Sequence, residues 1–232
     1  MFVANFSIKS AVQKALVFLR RTVDYAEMHP YLAMERKALE ETVEFITRQM
    51  PDAMAFDTPK DLLRYALARV PADGIVAEFG VNGGGTMRFI ASRLPDRRID
   101  GFDSFQGLPE DWSGSNMAAG YFDRAGRLPR LPASVTLHPG WFAQSLPSFV
   151  AEYSGPLAFL HVDCDIYSST KTIFDHLGDR LQPGSIIVFD EYFNYPNWQH
   201  HEHRAFREFI EAGSLRFRYL AYAFRQVAVA IE

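Results

Sequence analysis

The chain has 232 residues, of which 48% are hydrophobic, and a formal net charge of −4. This length predicts one large domain, or one domain with a small extension, and the apolar residues suffice for a core. The slightly negative charge and the lack of a long lysine or arginine cluster argue against a nucleic-acid partner. The chain has a single cysteine, Cys164, and its apolar run Ala15–Leu19 is too short to span a membrane, so we expect a soluble, cytoplasmic protein without a membrane partner.

Two helices are predicted in the first fifty residues. Apolar side chains recur at helical spacing from Ile8 to about His29 and again from Tyr31 to Met50. We expect these helices to pack on a sheet or on a partner subunit. Packing on a partner subunit would make the protein a homo-oligomer. The first helix could instead lie on a membrane surface, but its polar face is mixed in sign rather than basic.

A third helix is predicted to begin after Thr58 and to end near Val70. Thr58 suits the N-cap position, and Pro59 suits the first helical position because its fixed φ matches the helix. We assign residues 1–70 to an N-terminal helical extension and residues 71–232 to the main domain.

A glycine-rich turn lies in the stretch IVAEFGVNGGGT, between a predicted strand and a predicted helix. Glu78 is the first charge at the end of the strand, and Gly80, Gly83 and Gly84 leave the backbone open to close approach by a ligand. The G-x-G-x-x-G spacing of dinucleotide-binding proteins is not met, because the next glycine after Gly80 is three residues on. The pattern E-x-G-x-x-x-G-G resembles motif I of class I S-adenosylmethionine (SAM) dependent methyltransferases.

Strands and helices alternate after the glycine turn. We predict strands near residues 98–103, 134–138, 157–163 and 185–190, which implies a parallel sheet with helices on both faces. Two further β-rich runs, Leu215–Phe224 and Gln226–Ile231, follow each other without a helix and should form an antiparallel pair at the sheet edge. The predicted fold class is α/β, a Rossmann-like doubly wound sheet of about seven strands with an antiparallel C-terminal strand pair and N-terminal helices.

A long stretch without periodicity, residues 106–132, is rich in glycine and proline. Loops of this length are usually functional or mobile. We interpret it as a lid over a site, with passive disorder as the alternative.

An aspartate follows the second predicted strand. Asp103 lies about twenty residues after the glycine turn, where an acidic residue can accept hydrogen bonds from both ribose hydroxyls of an adenosine. Asp100 is the alternative, but its position lies inside the strand. We assign Asp103 and the adjacent Ser104 to cofactor binding, together with Glu78 and the glycines.

Acidic residues also follow the last two parallel strands. Asp163 and Asp165 are two residues apart and should point the same way, about 7 Å apart, and Asp190 and Glu191 follow the next strand. The carboxyl ends of parallel strands meet at one crevice, so these residues should gather there with Glu78. So many carboxylates repel one another unless some are protonated or a hard cation such as Mg²⁺ lies among them.

Aromatic residues and histidines follow the last acidic pair, in YFNYPNWQHHEH. We interpret this segment as a wall that contacts an acceptor molecule, with Trp198 and His203 as the contacts and ordinary surface residues as the alternative. Tyr167 is a third candidate for substrate contact, although hydroxyls at the start of a helix more often cap backbone amides.

The motifs VAEFGVNGGGT, FDSFQGLPEDW, HVDCDIYSST and PGSIIVFDEY occur in this order. Over about residues 74–209 the chain resembles the macrocin O-methyltransferase family, which uses SAM and Mg²⁺ to methylate sugar hydroxyls of antibiotics. The resemblance implies that Asp163, Asp190 and Glu191 bind Mg²⁺ or Mn²⁺ and that Asp165 is the catalytic base. The family commonly has Asp-Asp where this chain has Asp190-Glu191.

The activity implied by the resemblance is methyl transfer from SAM to a hydroxyl of a small molecule, a sugar or a glycosylated metabolite. Two alternatives remain at this point. The acceptor could be phenolic, or the chain could bind SAM or another adenosine ligand without catalysis, as a regulator or scaffold. The acidic residues favour an enzyme, because a binding module has no need of them.

Overall fold

The computed structural model describes residues 11–20, 25 and 28–232, and its centre is a single sheet. The strands are Met54–Ala55 (β1), Ile75–Phe79 (β2), Ile99–Asp103 (β3), Val135–Pro139 (β4), Leu157–Val162 (β5), Ile186–Phe189 (β6), Phe217–Ala223 (β7) and Gln226–Ile231 (β8). The helices are Pro30–Gln49 (α1), Pro59–Leu67 (α2), Gly85–Arg93 (α3), Phe142–Glu152 (α4), Tyr167–Leu177 (α5) and Glu202–Ala212 (α6), and short 3₁₀ turns lie at Gly178–Arg180 and Trp198–His200. Residues 11–20 are also helical.

The strand order across the sheet is β1-β7-β8-β6-β5-β2-β3-β4. Strands β2 to β6 are parallel to one another, and β8 runs antiparallel between β6 and β7. This arrangement confirms the predicted Rossmann-like α/β sheet with an antiparallel C-terminal pair. The sheet has eight strands rather than about seven, because the two-residue β1 pairs with the outer edge of β7 and is too short to show a strand pattern in the sequence.

Apolar side chains are buried on both faces of the sheet. Every residue of β5 is buried, as expected for a parallel strand covered by helices on both sides. One face packs around Phe79, Phe102 and Phe189, and the other face packs around the buried side of α2. The crossover helices therefore fix the positions of the strand ends.

The second and third predicted helices are confirmed. α1 begins one residue before the predicted start at Tyr31 and ends at Gln49, one residue before the predicted end at Met50. α2 begins after Thr58, whose Oγ1 accepts a hydrogen bond from the Asp61 N–H at 3.2 Å. α2 ends at Leu67, three residues before the predicted end at Val70. Of the helix predicted from Ile8 to His29, residues 8–10, 21–24, 26 and 27 lie outside the described part of the chain.

The boundary predicted at residue 70 stays a prediction, as does the homo-oligomer. Part of the assigned extension nevertheless belongs to the sheet, because β1 pairs with β7 and the buried face of α2 packs against it. Within the described residues, the helices are too short or too polar to cross a membrane.

β2 and β5 stay close beyond their ends, and a glycine permits this approach. Gly80 has φ +97°, and a Cβ at this position would lie 1.6 Å from the carbonyl oxygen of Asp163. The N–H of Asp163 still donates to the carbonyl of Phe79 at 2.9 Å. Gly80 is therefore required by the contact between two backbone segments, and this contact sets the position of Asp163.

We expect Gly80→Ala to destabilise the protein. An added methyl group would collide with Asp163, and a residue held in a strained backbone region costs about 1–3 kcal/mol by itself. The free energy of unfolding, measured by urea denaturation, should fall by at least this amount. The control is Gly85→Ala at the start of α3, where a Cβ would meet nothing within 4 Å and stability should be unchanged or slightly higher. Equal stability of the two variants would contradict this account.

Candidate functional site

A cavity of ≈ 620 Å³ opens where the parallel strands end. It is lined by the glycine turn, the ends of β3, β5 and β6, the loop 106–132, the starts of α4 and α5, and Arg225 in the β7–β8 turn. A volume of this size suits a small-molecule ligand. The cavity therefore lies at the carboxyl ends of the strands, where the acidic motifs predict a site.

One side of the cavity holds most of the residues predicted to bind a cofactor. Gly80, Gly83, Asp103 and Ser104 all line it. Gly84 does not, since it is the N-cap of α3 with φ +71°, and a Cβ at this position would meet the side chain of Leu131. This glycine serves the turn into the helix rather than open space in the cavity.

Asp103 joins the glycine turn to the end of β3. Its Oδ2 accepts the N–H of Asn82 at 2.7 Å, and its Oδ1 accepts the N–H of Phe105 at 2.6 Å. A carboxylate can accept about four hydrogen bonds, so each oxygen keeps capacity for a ligand. Asp100, the alternative, is buried against Arg98 and His138 at 2.7 and 2.9 Å, so Asp103 alone of the pair faces the cavity.

Glu78 lies beneath the cavity and is fully buried. It is the register partner of His161 on β5, whose Nδ1 lies 3.1 Å from Oε1 of Glu78. The Nε2 of His161 lies 3.9 Å from Oδ1 of Asp190. Burial raises the pKa of Glu78. Burial by itself would lower the pKa of His161, but the hydrogen bond and the charge of Glu78 outweigh it, so the pKa of His161 is raised. Glu78 thus contacts a neighbouring strand rather than the cavity.

Three acidic side chains meet on the other side of the cavity. Asp163, Asp165 and Glu191 each offer an oxygen atom, and these atoms all lie within 4.8 Å of one another. Burial is the main cause that raises the pKa of all three carboxyls, and the charge of Asp190 raises them further. The pKa of Asp165 is raised to about 7.

The predicted geometry of Asp163 and Asp165 is wrong in one respect. The alternation of a strand does not continue through them, because β5 ends at Val162 and Asp165 has φ +67°. The left-handed turn brings the two carboxylates closer than the 7 Å that an extended strand predicts. Cys164 between them is buried, and its Sγ lies 3.4 Å from Oγ1 of Thr170.

Asp190 also lines the cavity, but other side chains hold it. Gln226 on β8 donates a hydrogen bond from Nε2 to Oδ1 of Asp190, the same oxygen that lies near His161. The oxygen atoms that come within 4.8 Å of one another belong to Asp163, Asp165 and Glu191. A second group of described residues, Glu78, His161 and Asp163, also brings its ligand atoms within 4.8 Å of one another. Asp190 belongs to neither group, and its role as a metal ligand stays a prediction.

Glu202, the first residue of α6, was missed by sequence reasoning. Its carboxylate is fully buried and accepts hydrogen bonds from the N–H groups of Asp165 at 3.2 Å and of Glu191 at 3.1 Å. His161 was missed as well. The signals in the sequence were a histidine inside an apolar strand and an acidic residue in the first turn of the helix that follows the acidic loop.

The residues predicted to contact a substrate lie away from the cavity. The hydroxyl of Tyr167 donates to Glu208 at 2.6 Å, and its ring lies under the guanidinium of Arg204. Trp198 and His203 make edge-to-face contacts with each other and with Phe45 of α1. This placement argues against direct contact with an acceptor.

The physical reason for this placement is that the 3₁₀ turn and the first turn of α6 pack against Phe45 of α1. The turn carries Trp198, and the first turn of α6 carries His203. Burial lowers the pKa of His203 to about 4, so it stays neutral near pH 7.

The loop 106–132 forms a wall of the cavity. Trp112, Met117 and Phe122 give this wall an apolar lining. His201 holds it from outside, with Nε2 2.9 Å from the carbonyl of Ser113. The Oγ of Ser168 on α5 donates to Glu110 at 2.6 Å. The loop is thus ordered against α5 and α6, and its role as a lid stays a prediction.

The sequence model of one protein family, described as "Methyltransferase domain", matches residues 77–192. This range begins on β2 and ends just beyond the acidic residues that follow β6. The match therefore covers both the glycine turn and the acidic residues of the cavity.

Three curated relatives are each 31% identical to this chain. One is the 8-demethyl-8-(2,3-dimethoxy-alpha-L-rhamnosyl)-tetracenomycin-C 4'-O-methyltransferase of Streptomyces olivaceus, with 57% of this chain and 59% of the relative covered. Another is the mycinamicin III 3''-O-methyltransferase of Micromonospora griseorubida, with 53% and 56% covered. The third is the demethyldecarbamoylnovobiocin O-methyltransferase of Streptomyces niveus, with 55% of each covered. The chain spans somewhat more than half the length of these relatives.

Two solved structures share the fold. The calicheamicin methyltransferase CalS11 is similar with a TM-score of 0.61 and 23% identity, over 87% of this chain and 93% of that one. The O-methyltransferase NovP is similar with a TM-score of 0.58 and 24% identity, over 74% and 79%. At this identity the likeness supports the fold alone.

The buried carboxyls predict that the protein loses stability as the pH rises when no divalent cation is present. The pKa of Asp165 is about 7 in the folded chain, against an ordinary value of 3.8. Between these values the folded chain binds more protons than the unfolded chain, so stability falls as the pH rises from about 4 to 7. We expect Asp165→Asn to gain on the order of 1–3 kcal/mol over the wild type between pH 5 and pH 8. Urea denaturation in EDTA measures this difference.

The control for this experiment is Asp61→Asn. Asp61 is exposed on α2, and hydrogen bonds from Thr58 and Arg64 lower its pKa, so it titrates below the range studied. This variant should keep the pH dependence of the wild type. If Asp165→Asn keeps it as well, the raised pKa of Asp165 is refuted.

Proposed function

The chain belongs to the methyltransferase-domain family, and on that premise we propose that it is a SAM-dependent O-methyltransferase acting on a hydroxyl of a sugar or glycosylated small molecule. The observation that carries the proposal is the cavity, which has a glycine turn with Asp103 on one side and a cluster of carboxylates on the other. The names of the three relatives support oxygen as the methylated atom, and the name of the first includes a rhamnosyl group.

We assign SAM to the side of the cavity that contains the glycine turn. Gly80 and Gly83 present backbone to the cavity, and SAM has no phosphate that would need a dinucleotide-type loop. Asp103 is held by two backbone N–H groups and retains capacity to accept the ribose hydroxyls. Ser104 lines the same side.

The acidic side of the cavity fits Mg²⁺ or Mn²⁺. Its donors are carboxylate oxygens, which hard cations prefer, and Oε2 of Glu191 is buried without a hydrogen-bond partner among the described residues. We propose that Asp163, Asp190 and Glu191 hold the cation. When bound, it lowers the pKa of an acceptor hydroxyl and fixes its position.

The chain's own residues then have distinct roles in methyl transfer. The acceptor oxygen forms a bond to the methyl carbon as the bond from that carbon to the SAM sulfur breaks. The hydroxyl proton passes to the carboxylate of Asp165, which lies next to the other acids at the cavity wall. Trp112, Met117 and Phe122 exclude water from one side, and the guanidinium of Arg225 offsets part of the negative charge.

We expect Asp103→Ala to weaken SAM binding. The variant loses two charge-assisted hydrogen bonds, each worth about 1.5–3 kcal/mol, so affinity measured by calorimetry should fall at least about tenfold. Asp123→Ala is a matched control, because Asp123 accepts the N–H of the residue two positions on, as Asp103 does, but does not line the cavity. Unchanged SAM affinity in Asp103→Ala would refute the assignment.

We expect Asp165→Asn to lower turnover by about 10²–10⁴, the usual range for a positioned base, while the affinities for SAM and Mn²⁺ stay the same. Methyl transfer to a panel of sugars and phenols measures turnover, which EDTA should abolish in the wild type. Asp175→Asn, an exposed change on α5, should behave as the wild type.

Two results of these assays would contradict the proposal. Loss of Mn²⁺ affinity in Asp165→Asn would make Asp165 a ligand, as its closeness to Asp163 and Glu191 allows. Full turnover of the wild type in EDTA would show that the reaction needs no metal ion.

A further inference from the structure

Glu202 is a buried carboxylate that the proposed reaction does not use. It is the first residue of α6, its side chain is fully buried, and within the described residues no lysine, arginine or histidine forms an ion pair with it. A carboxyl group is costly to bury without a cationic partner, so the presence of Glu202 here needs a reason.

The carboxylate of Glu202 binds two loops at once. Its Oε1 accepts the N–H of Cys164 at 3.4 Å and the N–H of Asp165 at 3.2 Å, in the loop that follows β5. Its Oε2 accepts the N–H of Glu191 at 3.1 Å, in the segment that follows β6. One side chain therefore bridges the two segments that carry the acidic cluster.

Glu202 does not act as a helix cap. A capping side chain accepts N–H groups from the first turn of its own helix, but the N–H groups that Glu202 accepts come from outside α6. Its place at the N-terminus of α6 still matters, because the helix dipole favours a negative charge there. The helix thus makes the burial of this carboxylate less costly.

We infer that Glu202 is a positioning residue that holds Asp165 and Glu191 side by side. The backbone N–H groups that Glu202 accepts belong to these two residues, and Asp165 has a left-handed conformation with φ +67°, which is uncommon for a residue other than glycine. Side chains that hold metal ligands from behind tune metal affinity. This inference rests on the proposed function, because the arrangement serves cation and acceptor binding.

The test is Glu202→Gln, which keeps the shape but replaces one acceptor oxygen with an amide group that cannot accept. Hydrogen exchange followed by mass spectrometry should show faster exchange in peptides covering residues 163–166 and 190–192. The Kd for Mn²⁺, measured by electron paramagnetic resonance, should rise about 10- to 100-fold. SAM affinity should stay the same, and a high Mg²⁺ concentration should restore part of the turnover.

Glu211→Gln is the matched control, because it makes the same change on the exposed side of the same helix, where Glu211 pairs with Arg207. It should match the wild type in every measurement. If Glu202→Gln does not fold, Glu202→Asp takes its place, since the shorter side chain keeps the charge but cannot reach both loops.

The hydrogen-exchange and Mn²⁺ measurements separate this inference from the proposed function. Exchange at the wild-type rate in the Glu202 variant would overturn the inference whether or not the protein binds a metal. Faster exchange with wild-type Mn²⁺ affinity would also overturn it, since the loops would then not need to be held. If the wild type itself binds no Mn²⁺, the proposed metal is wrong, and the exchange rates alone decide whether Glu202 holds the loops.

Discussion

The site depends on holding several acidic side chains together on a cavity wall, where burial disfavours their charged forms. Asp163, Asp165 and Glu191 meet where β5 and β6 end, and burial and the charge of Asp190 raise the pKa of each. Such an arrangement persists only if the backbone on which it stands is rigid. The rigidity comes from short contacts between neighbouring segments, above all the approach of Gly80 to Asp163 and the hydrogen bonds that Glu202 accepts.

The sequence predicts well what depends on periodicity and on strand ends. Alternating strands and helices give the parallel sheet, and the parallel sheet brings the residue after each strand to one edge. For this reason Asp103, Asp163, Asp190 and Glu191 lie at the cavity as expected. Glu78 does not, because it lies one residue before the end of β2, where its side chain packs beside His161 of the neighbouring strand β5.

Features that depend on the three-dimensional packing of loops could not be predicted from the sequence. The left-handed turn at Asp165 has no glycine to indicate it, and Glu202 resembles an ordinary exposed residue in the first turn of an amphipathic helix. The aromatic residues Trp198 and His203 follow the acidic residues directly in the chain, but the direction of α6 turns them towards Phe45. Nearness in sequence was therefore a poor guide to nearness in space.

β1 has a consequence for where the chain can be divided. Met54 and Ala55 pair with Ala221 and Tyr222 and so cover part of the outer edge of β7, a seven-residue strand for which the described part of the chain provides no other neighbour on that side. A chain shortened to residues 71–232 would leave the hydrogen-bonding groups of this edge free to pair with a second molecule, which is a common route to aggregation. We therefore expect β1 to limit such pairing. The sheet is completed by a segment that lies before the residues lining the cavity.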